Sequence, residues 1–247
     1  MNNIKYKFYN KWRKYLIKTW LYLWPVLIFL LVYPVSNSLL RISTIIVLFS
    51  LWSIGLLVFW SKKALRYMCI ILAIIVIFYL IFPGRNYDTE KLRKAYVDTL
   101  MNYEGTRYVW GGENKLGIDC SGLVRQGLIY ANIKIGILEI NPDLIREGIL
   151  LWWYDCSAKA LLDGYRQKTR LLASAQSINE LDHSILLLGD IAVTSDGIHV
   201  LAFVGDSTWI EADPYEKKTI KVRVPVKNNF WFKVPIHILR WCQLINN

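Results

Sequence analysis

Cys120 stands between an aspartate and a Ser-Gly pair in the stretch RYVWGGENKLGIDCSGLV, residues 107 to 124. The residues after it, Leu123, Val124, Gly127, Leu128 and Ile129, continue with helix-like spacing. That spacing predicts that Asp119 caps a helix and that Cys120 opens its first turn. A thiol in that position lies among backbone N–H groups without helical partners, at the positive end of the helix dipole. Both effects favour the thiolate, the nucleophilic form. Gly111, Gly112 and Gly117 let the preceding loop turn tightly behind Tyr108 and Trp110. A free cysteine is often no more than a small buried hydrophobe. What argues for chemistry here is this loop before it, joined to a histidine-led strand after it.

That strand is H-V-L-A-F-V, beginning at His199. Alternation puts His199 on one face with Leu201 and Phe203. A hairpin centred on Gly205 then sets His199 directly opposite Glu211, on the same face. Glu211 can accept a hydrogen bond from one imidazole nitrogen while the other faces Cys120. The three side chains would form a nucleophile, a base and the group that orients the base. The Tyr108 hydroxyl could join the backbone N–H of Cys120 in holding an oxyanion, or be a core tyrosine bonded to backbone. Asp119 and Ser121 serve the helix cap first and substrate second. His183 and His237 have no cysteine or carboxylate at metal-binding spacing, so they read as structural or solvated, and neither a metal nor another cofactor is implied. Cys69 falls within an apolar run, and the sequence leaves open whether Cys156 and Cys242 pair.

These residues must be positioned by a chain of unusual charge distribution. Of its 247 residues 54% are hydrophobic, and the net charge is +11. Residues 1–86 hold 11 Lys or Arg and no acid, whereas residues 87–247 hold 19 charges of each sign. The excess lies beside apolar segments, which marks membrane topology and argues against a nucleic-acid surface. Three uncharged runs, residues 19–40, 42–61 and 67–84, are each long enough to cross a hydrocarbon core of about 30 Å. Pro25 and Pro34 are expected to kink the first. Lys5, Lys7, Lys11, Arg13, Lys14 and Lys18 precede it, and Lys62, Lys63 and Arg66 separate the second from the third. Only Arg41 separates the first from the second. The N-terminus is therefore expected in the cytoplasm and the chain beyond Gly84 on the far side of the membrane, with Trp12, Trp20, Trp24 and Trp60 near the interfaces.

The sequence thus predicts a membrane anchor over residues 1–86 and a second domain over 87–247. In the latter, Asp88 or Thr89 starts a helix running to about Tyr103, with Leu92, Tyr96, Leu100 and Tyr103 on one face. A helical insertion is expected over about 141–179, one helix starting at Asn141-Pro142-Asp143 and another covering 158–175, with a break near Gly164 left open. Strands follow at 190–194, 199–204, 208–212, 219–225 and 236–241. Helices first and strands after make an α+β domain, helices packed on an antiparallel sheet.

The Y-x-W-G-G … D-C-S-G-L-V pattern, with the strand at His199, resembles the NlpC-type cell-wall cysteine peptidases over roughly residues 88–245. The resemblance implies a papain-like fold, Cys120 and His199 as the catalytic pair, a Gly-Asp turn at Gly189-Asp190 and a third polar residue at Glu211. It also implies a substrate, the stem peptide of peptidoglycan, often at a D-glutamyl–diamino-acid bond. Tyr108 matches the family's loop tyrosine. Glu211 departs from the His, Asn or Gln usual at its place, as do Arg107 from Pro and Leu201 from Gly. The expectation is a cysteine peptidase or amidase of the bacterial cytoplasmic membrane, its catalytic domain on the outer side and the lipid bilayer and cell-wall peptide its partners. Two other readings remain open: thiol acyl transfer on lipid or protein substrates, and a non-catalytic, wall-binding scaffold.

Overall fold

The computed structural model describes residues 2–245, and of residues 2–10 the backbone alone. The side chains of Lys5 and Lys7, two of the basic residues before the first apolar run, lie outside the described part. The chain divides into two compact units: Met1–Tyr33 with Asn37–Phe82, and Pro34–Ser36 with Pro83–Asn247.

The first unit holds three helices, α1 (Asn2–Val32), α2 (Ser38–Val58) and α3 (Lys63–Ile81). Lys11–Val32, Ser38–Val58 and Lys63–Ile81 are long and apolar enough to cross a membrane, with mean hydropathies of 1.8, 2.0 and 2.6. Their boundaries differ from those expected. The first helix ends at Val32 instead of running to residue 40, and Arg41 lies inside α2, not in a linker. The cause is local. Pro34 has no N–H to donate and disfavours helical backbone at the residue before it. Asn37 then caps the new helix, its side chain accepting from the Leu40 N–H at 3.0 Å. Pro25 sits within α1, as expected. Trp20 ties α1 to α2 by donating from its indole to the Leu51 carbonyl at 3.1 Å. No residue of α3 is buried, so its apolar side chains form a surface suited to hydrocarbon.

The second unit begins with α4 (Thr89–Asn102), capped by Asp88, whose carboxylate accepts from Glu90 N and Lys91 N. Leu92, Tyr96 and Leu100 are fully buried and Tyr103 nearly so, the predicted face. Each such side chain stabilises the fold by roughly 1.5–3 kcal/mol through burial. A two-stranded ribbon, β1 (Glu113–Asn114) and β2 (Gly117–Ile118), leads into α5 (Cys120–Leu138), followed by α6 (Pro142–Trp153) and the short α7 (Ala158–Leu162). Gly127 lets α5 approach α4: a Cβ there would lie 2.7 Å from the Tyr96 ring.

The expected second insertion helix stops at Leu162. The chain turns through Gly164, Tyr165, Arg166 and Gln167, all at positive φ, and residues 169–175 form a strand, β3 (Thr169–Ala175). Main-chain pairing with the C-terminal strand overrides the local helical pattern there. The remaining strands are β4 (Ile191–Thr194), β5 (Val200–Gly205), β6 (Thr208–Asp213), β7 (Lys218–Arg223) and β8 (Ile236–Trp241). Among the described residues they make a six-stranded antiparallel sheet in the order β3-β8-β4-β5-β6-β7. Ile191, Val193, Val200, Ala202, Ile210 and Ala212 pack with α4 and α5 on one face. Ala192, Leu201, Phe203 and Trp209 pack on the other against Ile178, Trp231 and Phe232. The result is the expected α+β architecture, helices on an antiparallel sheet, following three apolar helices.

Candidate active site

Cys120 is the first residue of α5 and is buried, 7% exposed, at the edge of the core. Asp119 caps the helix: one carboxylate oxygen accepts from Gly122 N at 2.6 Å and from the Ser121 hydroxyl at 3.0 Å. The other accepts from Gly111 N at 2.8 Å, tying the glycine loop to the helix start. Burial raises the Asp119 pKa, and these three donors work against the rise. Asp119 and Ser121 are thus committed to the cap. Among the described residues no hydrogen bond uses the N–H of Cys120 or Ser121, so both remain available at the helix terminus. Gly122 is required for close approach, since a Cβ there would lie 2.3 Å from the Gly112 carbonyl oxygen.

Tyr108 lies beside this turn, its N–H bonded to the Lys217 carbonyl at 2.8 Å. Burial first, then the negative charges of Cys120 and Asp119, raise its phenol above the ordinary tyrosine range, so it stays protonated and can donate. Tyr108, Trp110 and Cys120 line a cleft of about 560 Å³ whose opposite wall includes Asp155, Cys156 and Lys159. The link between α6 and α7, part of the insertion, therefore shapes access to the thiol.

His199 directly precedes β5. Thr194 fixes its backbone twice: the His199 N–H donates to the Thr194 hydroxyl and its carbonyl accepts from Thr194 N, both at 3.0 Å. Its ring donates from Nε2 to Glu211 Oε2 at 2.7 Å, both side chains almost wholly buried. Cys120 also acts on the ring electrostatically, and with Nε2 bonded to Glu211 it is Nδ1 that is left to serve the thiol. Burial alone would depress the His199 pKa. The hydrogen bonds and negative charges of Cys120 and Glu211 outweigh it and raise the value to about 9. Burial likewise raises the Glu211 carboxyl, against the hydrogen bonds it receives from His199 and Asn229.

The predicted hairpin register is not the observed one. Ala202 pairs with Ile210 and Phe203 with Trp209, and the ladder shifts before Gly205 pairs with Thr208. This bulge moves Glu211 one diagonal step from His199, and the two long side chains close the gap.

Two residues of the arrangement carry no signal in the sequence. Asn229 donates from its side-chain amide to Glu211 Oε1 at 2.6 Å. Trp231 stacks on the His199 ring, centroids 4.1 Å apart and planes 16° from parallel. Both come from the turn around Phe230–Phe232, separated from β6 by a whole strand, so no local spacing reveals them. At the matched Gly-Asp turn, Gly189 is at positive φ and buried Asp190 accepts two bonds from Arg240, at 2.6 and 2.7 Å. His183 accepts from the Trp209 indole and His237 pairs with Ser174, so each has a structural partner. All four cysteines are free. Among the described residues, no cluster of His, Cys, Asp and Glu could hold a metal ion.

Comparison with known proteins identifies a family. A family model described as NlpC/P60 family matches residues 105–240. The chain is 30% identical over 124 residues to Dipeptidyl-peptidase 6 of Lysinibacillus sphaericus. That match takes in 46% of each, so the chain spans under half the length of this curated relative. Similar solved structures include NlpC1 from Trichomonas vaginalis, 17% identical, covering 65% of this chain and 48% of that one at a TM-score of 0.40. The NlpC/p60 domain of the peptidoglycan hydrolase SagA is 19% identical, with 59% and 97% covered and a TM-score of 0.35. The peptidoglycan hydrolase RipB from Mycobacterium tuberculosis is 18% identical, with 60% and 64% covered and a TM-score of 0.36. The family match spans more than half of the chain, from the loop before Cys120 through His199 into β8, and on that ground the chain belongs to the NlpC/P60 family.

Proposed function

We propose that this protein is a membrane-anchored cysteine hydrolase that cleaves a peptide bond in the stem peptides of peptidoglycan. The observation that carries the reading is the buried pair of Glu211 and His199, bonded at 2.7 Å, with Cys120 at the start of α5 acting on the same ring. The family membership and the name of the Lysinibacillus relative, a dipeptidyl-peptidase, support peptide-bond hydrolysis. The D-glutamyl–diamino-acid bond rests on the resemblance described above.

In this mechanism the Cys120 proton passes to His199 and the sulfur bonds to the scissile carbonyl carbon. The oxyanion is held by the free N–H groups at the head of α5 and by the Tyr108 hydroxyl. His199 protonates the leaving amine as the C–N bond breaks, leaving a thioester on Cys120. Water then attacks the thioester, giving one proton to His199, and the released sulfur takes that proton back. Glu211 holds the ring and stabilises its protonated form. Asn229 holds Glu211, and Trp231 covers the pair from solvent.

The three apolar helices support an anchor, and the charge asymmetry supports a cytoplasmic N-terminus with the catalytic unit outside. A tether keeps the enzyme close to a polymer that does not diffuse. An exported-only reporter joined after residue 90 is expected to be active. A silent reporter there, with an active one near Lys63, would reverse the orientation. The activity itself is tested by incubating the full chain in detergent with purified muropeptides and identifying products by mass. Cleavage within the stem peptide is expected. Intact muropeptides alongside acyl transfer from a lipid or protein donor would replace this reading with the transferase one.

A further inference from the structure

Pro34–Ser36, the short segment joining α1 to α2, belongs to the second unit and not to the helices on either side of it. It runs beside the glycine loop as an added antiparallel strand, with Val35 opposite Gly112. The Ser36 N–H donates to the Gly111 carbonyl at 2.9 Å, and the Glu113 N–H donates to the Pro34 carbonyl at 2.8 Å. The two backbones pack closely. Gly111 is at positive φ, and a Cβ there would lie 3.3 Å from Val35 Cγ1, while one at Gly117 would lie 3.2 Å from Pro34 Cβ. Ser36 also lines the cleft, together with Trp110 and Cys120.

Both bonds lead on to the walls of the cleft. Gly111, which accepts from Ser36, gives its own N–H to the carboxylate of Asp119, the cap of α5, and the Gly112 carbonyl accepts from the Asp119 N–H at 3.2 Å. The glycine loop is therefore held between Pro34–Ser36 on one side and the head of α5 on the other. Glu113, bonded to Pro34, forms an ion pair with buried Arg125. Arg125 in turn donates to the Leu151 and Tyr154 carbonyls at 2.9 and 2.7 Å. These close α6 immediately before Asp155 and Cys156 of the opposite wall.

Glycines have more conformational freedom to lose than other residues, so this loop needs contacts from outside to hold one shape. We propose that Pro34–Ser36 is a positioning segment of the active site. It fixes the glycine loop and, through Asp119, the N–H groups at the head of α5 that meet the oxyanion. Through Glu113 and Arg125 it sets the far wall. The working enzyme then includes a piece of its own anchor, and residues 87–247 alone make an incomplete site. Cutting the domain away from the helices would silence it. The proposal rests on the hydrolase reading for the group those N–H donors meet, and its test does not need that substrate.

The test compares the full chain in detergent with Ser36→Pro, which has no N–H to donate, and Ser36→Ala, which keeps it. Acylation of Cys120 by p-nitrophenyl acetate is followed by nitrophenolate release and by the mass of the Cys120 peptide, and kcat and KM are measured on muropeptides. Hydrogen exchange across residues 109–122 reports the loop, and exchange in α4 reports the fold. Ser36→Pro is expected to lower the acylation rate and kcat about tenfold or more, with a smaller change in KM, as slight misplacement of reacting groups does. Exchange should quicken in the loop while α4 stays protected. Ser36→Ala should recover most of the loss. If Ser36→Pro does not fold, replacing Pro34-Val35-Ser36 by glycines, which loosens the backbone and the contact on Gly111, is expected to give the same split. Acylation at the wild-type rate in Ser36→Pro, or in the glycine variant where the proline one does not fold, would overturn the proposal. So would a loss carried by KM alone, or one as large in Ser36→Ala. Acylation of wild-type Cys120 without muropeptide cleavage would count against the hydrolase, and the acylation rates of the variants would still decide the role of the segment.

Discussion

His199 and Glu211 meet across a diagonal of the β5–β6 hairpin, Nε2 to Oε2 at 2.7 Å, and not as direct cross-strand partners. The bulge after Phe203 brings Leu201 opposite Glu211, and the longer reach of glutamate restores the contact with the ring. A shorter residue at position 211 would not bridge that diagonal as well. This gives a physical reason for a glutamate at this place.

Glu211→Gln keeps an acceptor for the imidazole N–H and loses the charge, and Glu211→Ala loses both. Activity is expected to fall in the order wild type, Gln, Ala, the last by about 10²- to 10⁴-fold. The His199 pKa of about 9 owes part of its rise to the Glu211 charge. Removing that charge lowers the pKa, so the alkaline limb of the rate profile should move to lower pH in the Gln variant. Full activity in Glu211→Ala with an unmoved limb would assign the orienting role elsewhere.

Asn229 and Trp231 act on the histidine from one turn. Asn229→Ala frees Glu211 Oε1, and Trp231→Ala opens the stacked face of His199 to water. Each should lower kcat about tenfold or more with a smaller change in KM, and each should displace the alkaline limb of the pH profile. Trp231→Phe should recover most of the loss. A change confined to thermal stability would reduce both residues to packing.

Two cysteines line the cleft, Cys120 at the head of α5 and Cys156 on the facing link. Burial above all pushes the Cys156 thiol up to about 12. On the order of 10⁻⁵ of it is thiolate at neutral pH, and the thiolate is the form that reacts. Iodoacetamide should therefore alkylate Cys120 well before Cys156, as followed by peptide mass mapping. Faster labelling of Cys156 would contradict the assignment of the reactive thiol.

Asp190 is completely buried and its charge is met by Arg240. Arg240→Met would leave an uncompensated buried carboxylate, expected to destabilise the unit by about 3–5 kcal/mol in denaturant unfolding. A loss below about 1 kcal/mol would mean that the carboxylate finds another partner or takes up a proton.

What could be read in the sequence was local. The cap at Asp119, the thiol at the head of α5, the buried face of α4 and the strands from 190 onward follow from periodicity and capping, which act over a few residues. The boundary at Pro34 is not legible in the hydropathy pattern because two apolar runs nearly touch there, and a single proline and an Asn cap decide it. Residues 169–175 read as helix because pairing with β8, some seventy residues later, leaves no mark on the local pattern. The same distance hid Asn229 and Trp231. The diagonal contact of His199 with Glu211 shows the converse: an incorrect register led to the right pair, because both residues lie on one sheet face and glutamate reaches far.

The central claim is that Cys120 forms the covalent bond to substrate, and trapping the thioester tests it most directly. The full chain in detergent, mixed with an activated ester of the stem-peptide acyl group at mildly acidic pH, is quenched and mapped by mass. The account predicts a single acyl adduct on the peptide containing Cys120, absent in Cys120→Ala and slow to hydrolyse in His199→Ala. An adduct on Cys156 or Cys242, or stem-peptide cleavage that persists in Cys120→Ala, would contradict it.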